Sequence, residues 1–217
     1  HRGQALGTHA IGGTLATVLS PLFAGFLLSI FNWRDVLAIS AGPALLMGFI
    51  FFWYAKRVPS APPNKLSWKD LKGMKKLWTS SSGLALIATI STYNMAVMAL
   101  TTITPLFLQK SWGVSPGKAG TVFATAMLIG ALGQPIVGRI SDRIGRKSIF
   151  VSGSILGGIC AILAGLPIGV SWVSLNLALS IGILVAIRSG VLAFAVDFSA
   201  KREATTLGFV FLLMDSV

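Results

Sequence analysis

Charged residues, histidine and cysteine are scarce in this sequence. Charged residues make up 11% of the chain, against about 25% in ordinary soluble domains, which excludes a soluble fold. With a single cysteine, Cys160, no disulfide framework can form within the chain. The two histidines, His1 and His9, belong to no Ser-His-Asp set, and no phosphate-cradling loop is present. We therefore expect neither an enzyme nor a bound cofactor or metal.

Apolar residues are abundant in the sequence. They make up 54% of the chain, and the mean hydropathy is +0.80. They form runs long enough to cross a bilayer core of about 30 Å as helices of about 20 residues. The runs cover approximately residues 9–31, 36–55, 83–108, 117–137, 148–167 and 171–196, and another begins near residue 204. The sequence thus predicts an all-α, multi-pass integral membrane protein.

The net charge of +12 could suggest a nucleic-acid partner. The basic residues, however, lie in the gaps between apolar runs and do not form one arm or one helix face. We expect membrane lipids with anionic headgroups, and not nucleic acid, to supply the counter-charge.

One gap stands out because it carries five charges in ten residues, Gly-Arg-Ile-Ser-Asp-Arg-Ile-Gly-Arg-Lys, from Gly138 to Lys147. We interpret it as a tight hairpin loop at the membrane surface. It resembles the G-x-x-x-D-R-x-G-R-K loop of the major facilitator superfamily of transporters, which is cytoplasmic and lies between helices 2 and 3 or, in weaker form, between helices 8 and 9. The resemblance implies a conformational gating loop. The matching positions are Gly138, Asp142, Arg143, Gly145, Arg146 and Lys147.

Small residues recur in two of the apolar runs. The spacing in the first run is similar to the family's helix-5 pattern, G-x8-G-x3-G-P-x2-G-G, which is commonest in proton-coupled exporters, although close helix packing explains it equally well. The positions concerned are Gly7, Ala16, Ser20, Pro21, Ala24 and Gly25. A later pair, Gly153 and Gly157, forms a G-x-x-x-G pattern that predicts close approach of another helix.

The resemblance implies that the sequence is a fragment covering helices 5 to 11. Residues 1–55 would then end the N-terminal bundle, residues 56–82 form a cytoplasmic linker with an interfacial helix from Leu66 to Trp78, and residues 83–217 belong to the C-terminal bundle. If residues 138–147 are cytoplasmic, fourteen of the 18 lysines and arginines lie on that side and three lie opposite. This distribution agrees with the positive-inside rule.

Four polar residues inside the apolar runs are candidates for the substrate cavity: Arg188, Asn94, Tyr93 and Asp215. A charge at such depth costs at least about 2.5 kcal/mol, so it requires a partner or a wet cavity. Arg188 would pair with Asp215 or attract an anionic substrate group; the alternative is that it snorkels to the cytoplasmic interface. Asn94 would either line the cavity or bond to another helix.

We expect a monomeric secondary transporter of the bacterial inner membrane. It would move a small organic solute by alternating access, coupled to protons, with export slightly favoured over import. The alternative is a protein of the same fold that no longer transports and acts as a membrane sensor or scaffold.

Overall fold

The computed structural model describes residues 12–13, 15–19, 23, 27, 30–57, 68–199 and 203–215, and only the backbone of residues 68–71, 74, 199, 203–205 and 213–215. Within these residues every regular element is an α-helix. The helices are α1 Trp33–Ala55, α2 Trp68–Trp78, α3 Ser81–Trp112, α4 Pro116–Ile144, α5 Arg146–Ala164, α6 Val170–Ser199 and α7 Glu203–Asp215. The predicted all-α class is confirmed.

Five of the helices in the described part of the chain, α1, α3, α4, α5 and α6, are long and apolar enough to cross a membrane. Their backbone groups bond internally, which is what a segment surrounded by hydrocarbon requires. This confirms a multi-pass integral membrane protein.

The chain divides into two compact units, one comprising Leu19–Lys72 and the other His1–Val18 with Gly73–Val217. In the first unit, the Asn32 side chain caps α1 by accepting hydrogen bonds from the backbone N–H groups of Arg34 and Asp35. Val36 is the buried residue of α1, and the apolar side chains along the rest of that helix are exposed. Such a helix is apolar on all sides, as expected for a segment that contacts lipid or other membrane helices.

In the second unit, α6 is the central helix. Most of its residues are buried, because α3, α4 and α5 all pack against it. Three apolar clusters follow its length: Val173 and Leu177 pack with α3 and α5, Ile181 packs with α4, and Val191 packs with α3 and α7. The position of α6 therefore determines where the polar residues on it point.

Glycines on α4 and α5 allow α6 to approach closely. A Cβ atom at Gly130 would lie 2.5 Å from Cγ1 of Val185, and one at Gly153 would lie 2.5 Å from Cγ2 of Ile187. The Ser180 hydroxyl of α6 donates to the Gly157 carbonyl at 2.8 Å. The close approach predicted from Gly153 and Gly157 is confirmed, and α6 is the helix that makes it.

The prediction that residues 138–147 form a loop is wrong. α4 continues through Ile144 and α5 begins at Arg146, so Gly145 is the single non-helical residue between them. Its φ of +106° lies in a region that glycine adopts without strain. Charged side chains do not prevent a helix from extending beyond the membrane. The prediction therefore ended α4 too early, because it took the charged residues as a loop.

Two other boundaries also differ from the prediction. The predicted gap between the apolar runs 83–108 and 117–137 shrinks to residues 113–115, because Gly113 ends α3 at φ +63° and Pro116 starts α4. The run predicted to end at residue 196 continues as a helix that includes Asp197, since α6 extends through Ser199.

A helix is present in the predicted linker as α2, and its last residue is packed against other helices. Trp78 is buried, and its ring contacts Phe198 of α6 and Phe209 of α7 at centroid distances of 5.5 Å and 4.9 Å. The end of α2 is therefore packed against the bundle. Lys72, Lys75 and Lys76 of α2 are exposed.

The helix-5 packing pattern falls mostly outside the described residues. Gly7, Ser20, Pro21, Ala24 and Gly25 are not described, and Ala16 is helical and exposed. That pattern stays a prediction.

Replacing Gly130 by Ala should destabilise the bundle. The added methyl group would meet Val185, and overpacking of this kind costs about 1–3 kcal/mol. Gly120→Ala is the matched control on the same helix, because a Cβ there meets no atom within 4 Å. Thermal unfolding in detergent should show a lower Tm for Gly130→Ala and an unchanged or slightly higher Tm for Gly120→Ala. Equal melting temperatures would contradict the close α4–α6 contact.

Candidate functional site

Three charged side chains meet where α4, α5 and α6 reach the same end of the bundle. Nε of Arg146 lies 2.9 Å from Oδ2 of Asp197, and Nη2 of Arg146 lies 3.4 Å from Oδ1 of Asp142. The Arg146 and Asp142 side chains are 15% and 14% exposed, and Asp197 is 42% exposed. One guanidinium thus bridges carboxylates from two other helices. We call these three residues the charge network.

Each member of the charge network lies at the helix end where the helix dipole disfavours a charge of its sign. Asp142 lies in the last turn of α4, Asp197 lies in the last turn of α6, and Arg146 is the first residue of α5. Each such charge loses about 0.3–1 kcal/mol relative to the opposite arrangement. Helix stability alone would not select these positions. The pairing with Arg146 compensates for the unfavourable placement and holds three helix ends together.

The remaining residues of the charged motif have simpler surroundings. Arg143 and Lys147 are exposed, and Gly138 is buried on the inner face of α4. The family resemblance also implies that Asp142 faces the N-terminus of helix 5 near residues 3–7, which lie outside the described residues. The described residues place Asp142 beside Arg146, and the contact with residues 3–7 stays a prediction.

A second polar group lies deeper in the bundle, around Arg188. Arg188 lies nine residues before Asp197, or about 13 Å along the axis of α6. Tyr93 of α3 lies near this turn, because it contacts Leu184, one turn before Arg188 on α6. Asn94, the neighbour of Tyr93, is buried with 3% of its surface exposed. Of the four residues predicted for the cavity, Tyr93 and Asn94 are buried, Arg188 is partly exposed, and the side chain of Asp215 lies outside the described residues.

Tyr93 is bonded to a helix and does not line an open surface. Its hydroxyl donates to the carbonyl oxygen of Leu184 on α6 at 2.5 Å, and its ring contacts that of Phe150 on α5.

Arg188 differs from its neighbours in exposure: residues 184–187 and 189–190 are buried, while Arg188 is partly exposed. It is eleven residues from the end of α6, about 16 Å, which places the origin of its side chain well inside the apolar span.

Asp197 is the residue that the sequence reasoning missed. Asp197 follows the apolar run over residues 171–196 and precedes Lys201 and Arg202, so the sequence placed it in the polar gap between two membrane spans. A signal was present: the basic residues of the charged motif outnumber its single acid, and Asp197 is the nearest acid on the same predicted side. The sequence does not show which arginine it would meet.

The family model of the Major Facilitator Superfamily matches residues 1–217. The chain belongs to this family of membrane transporters. Together with the five membrane-length helices and the charged α4–α5 junction, this establishes the predicted family, whose members bind small-molecule substrates.

Several curated relatives are similar to this chain. An MFS-type efflux pump of Mycolicibacterium smegmatis is 26% identical over 200 residues, covering 90% of this chain and 41% of the relative. Multidrug resistance protein MdtG of a Rahnella species is 28% identical over 157 residues, covering 69% and 37%. Multidrug resistance protein Stp of Mycobacterium tuberculosis is 21% identical over 216 residues, covering 76% and 39%. The chain thus spans about two fifths of the length of these relatives.

Replacing Arg146 by Gln should destabilise the protein more than replacing Arg143 by Gln. The first change leaves two carboxylates near each other at helix ends that already disfavour them, a loss of about 1–3 kcal/mol. The second removes an exposed cation, and such changes are usually within about 0.5 kcal/mol. Thermal unfolding in detergent at pH 7 measures both. A Tm that falls equally in the two variants would show that the bridge contributes no stability.

Proposed function

We propose that the protein carrying this chain is a secondary transporter that exports a small organic solute across the bacterial plasma membrane in exchange for protons. Support for export comes from relatives named as an efflux pump and as multidrug resistance proteins. In the structure, the observation that carries the proposal is the partly exposed Arg188 inside a membrane-length helix whose neighbouring residues are buried. A charged side chain at this depth raises the free energy of the folded protein in the membrane, so its presence favours a functional role.

The proposed mechanism is alternating access. Residues 83–217 form most of one bundle, residues 1–55 form the end of the other, and residues 56–82 connect them. The two bundles of such a monomeric transporter rock around a site near the bilayer midplane. Arg188 belongs to that site, and the charge network stabilises one of the two arrangements at the cytoplasmic end. Residues 56–82 and 138–147 face the cytoplasm, where anionic headgroups meet the exposed basic side chains.

The charge network suits such a role because it can exist in two states. When it is closed, Arg146 neutralises two carboxylates on neighbouring helices. When it opens, each charge again faces an unfavourable helix dipole and must be solvated. A substrate that binds one of these states more tightly than the other shifts the balance between them.

Replacing Arg188 by Ala should abolish solute-dependent proton flux. Proteoliposomes with a pH-sensitive dye inside would be challenged with anionic, cationic and neutral organic solutes, with Lys118→Ala as the control. Lys118 is an exposed cation near the start of α4, at the other end of the bundle, and its loss should leave flux unchanged. Wild-type flux in Arg188→Ala would show that Arg188 is not part of the substrate site. Solute binding by the wild-type protein without any flux would contradict transport.

Replacing Asp142 by Asn should slow transport without lowering expression. The amide keeps the shape of the side chain but weakens its contact with Arg146, so the arrangement with a closed network becomes less populated. Initial export rates and expression would be measured together. Asp35→Asn, a similar change at an exposed position outside the network, serves as the control. Wild-type kinetics in Asp142→Asn would show that the network does not gate transport.

A further inference from the structure

The Tyr93 side chain of α3 contacts both α5 and α6. Its ring is held by an edge-on contact with Phe150, with ring centroids 5.8 Å apart. Its hydroxyl reaches across to α6 and donates to the Leu184 carbonyl. Only 6% of Tyr93 is exposed, so this hydroxyl is unsuited to contact a solute in a water-filled cavity.

The carbonyl that Tyr93 binds belongs to the turn that carries Arg188. In an α-helix the carbonyl of Leu184 is the acceptor for the backbone N–H of the residue four positions later, which is Arg188. Tyr93 and the Arg188 backbone therefore share one acceptor. Tyr93 thus fixes the rotation of this turn relative to α3.

Two further bonds of the same kind hold α6 to its other neighbours. Ser180 donates to the Gly157 carbonyl of α5 at 2.8 Å, and Ser189 donates to the Gln134 carbonyl of α4 at 3.0 Å. Of the three contacts, that of Tyr93 is made to the acceptor of Arg188 itself. Ser180 acts two turns earlier and therefore provides a matched comparison.

The charge of Arg188, inside a membrane-length helix, needs a partner or a wet cavity. No carboxylate among the described side chains lies within ion-pair distance of it, while the described carboxylates Asp142 and Asp197 are bonded to Arg146. A cation in a membrane span is stabilised by an anion that shares its desolvated surroundings. The guanidinium fork matches a carboxylate or phosphonate in two-point geometry.

We infer that Tyr93 is a positioning residue that fixes the α6 turn carrying Arg188, so that Arg188 recognises the acidic group of a transported organic anion. This inference rests on the proposed function, and it adds a substrate class and a second residue. The role of Tyr93 is indirect: it contacts α6 and not the solute. Its loss should therefore affect anionic solutes and spare neutral solutes of the same shape.

The test compares Tyr93→Phe with Ser180→Ala in proteoliposomes of the protein that carries this chain. The probes are 2-naphthoate and its neutral amide, which share size and ring. Loss of one hydrogen bond should raise the KM for the anion about three- to tenfold in Tyr93→Phe and leave the KM for the amide unchanged. Ser180→Ala should leave the ratio of the two KM values as in the wild type.

A double-mutant cycle separates positioning from general stability. If Tyr93 acts through Arg188, Tyr93→Phe should have no further effect on anion binding in an Arg188→Ala background. Additive effects, or an equal loss for anion and amide, would overturn the inference. Calorimetric binding of naphthoate in detergent gives the same comparison without requiring flux.

Failure of the proposed function gives a different result. In that case the wild-type protein moves neither probe and no panel solute drives proton flux. If the wild type transports solutes but prefers the amide or a cationic analogue, transport stands and the substrate class is wrong. If Arg188→Ala loses the anion and Tyr93→Phe matches the wild type, the site stands and the role of Tyr93 is wrong.

Discussion

Everything in this bundle depends on how closely α6 approaches α4 and α5. Lipid tails are as apolar as the helices, so burial of apolar surface does not drive these helices together, and van der Waals contact must do so instead. Gly130, Gly153 and Gly157 permit that contact. Hydroxyl-to-carbonyl bonds then fix the rotation of α6. Arg188 and Asp197 are both on α6, so the same packing places the deep cation and one acid of the charge network.

The charge network and the Arg188 turn differ in their electrostatics: the first contains paired charges, and the second contains a single charge. In the network, two acids and one base occupy helix ends that repel them, and mutual pairing offsets this cost. At Arg188, a single charge lies within apolar surroundings, and the nearby hydroxyl of Tyr93 already donates to a backbone carbonyl. The first arrangement pairs charges of opposite sign, whereas the second places a single, partly exposed charge among buried residues.

Hydropathy and spacing predicted the membrane spans and the glycine pair, because both depend on local composition. The family was predicted from the resemblance of residues 138–147 to a known motif. The end of α4, the role of Asp197 and the orientation of Tyr93 depend on which helices meet, and a single sequence does not encode that in any short pattern. Charge density suggested a loop over residues 138–147, yet a helix tolerates charge once it leaves the lipid. The bond from Tyr93 to Leu184 spans 91 residues, far beyond any periodicity.

The junction at Gly145 has a mechanical consequence. Because one residue separates α4 from α5, the two helices cannot slide past each other independently, and a change in their angle must be absorbed by the few dihedral angles around that residue. The Asp142–Arg146 contact spans this pivot. The Asp142–Arg146 contact therefore limits how far the angle between α4 and α5 can change.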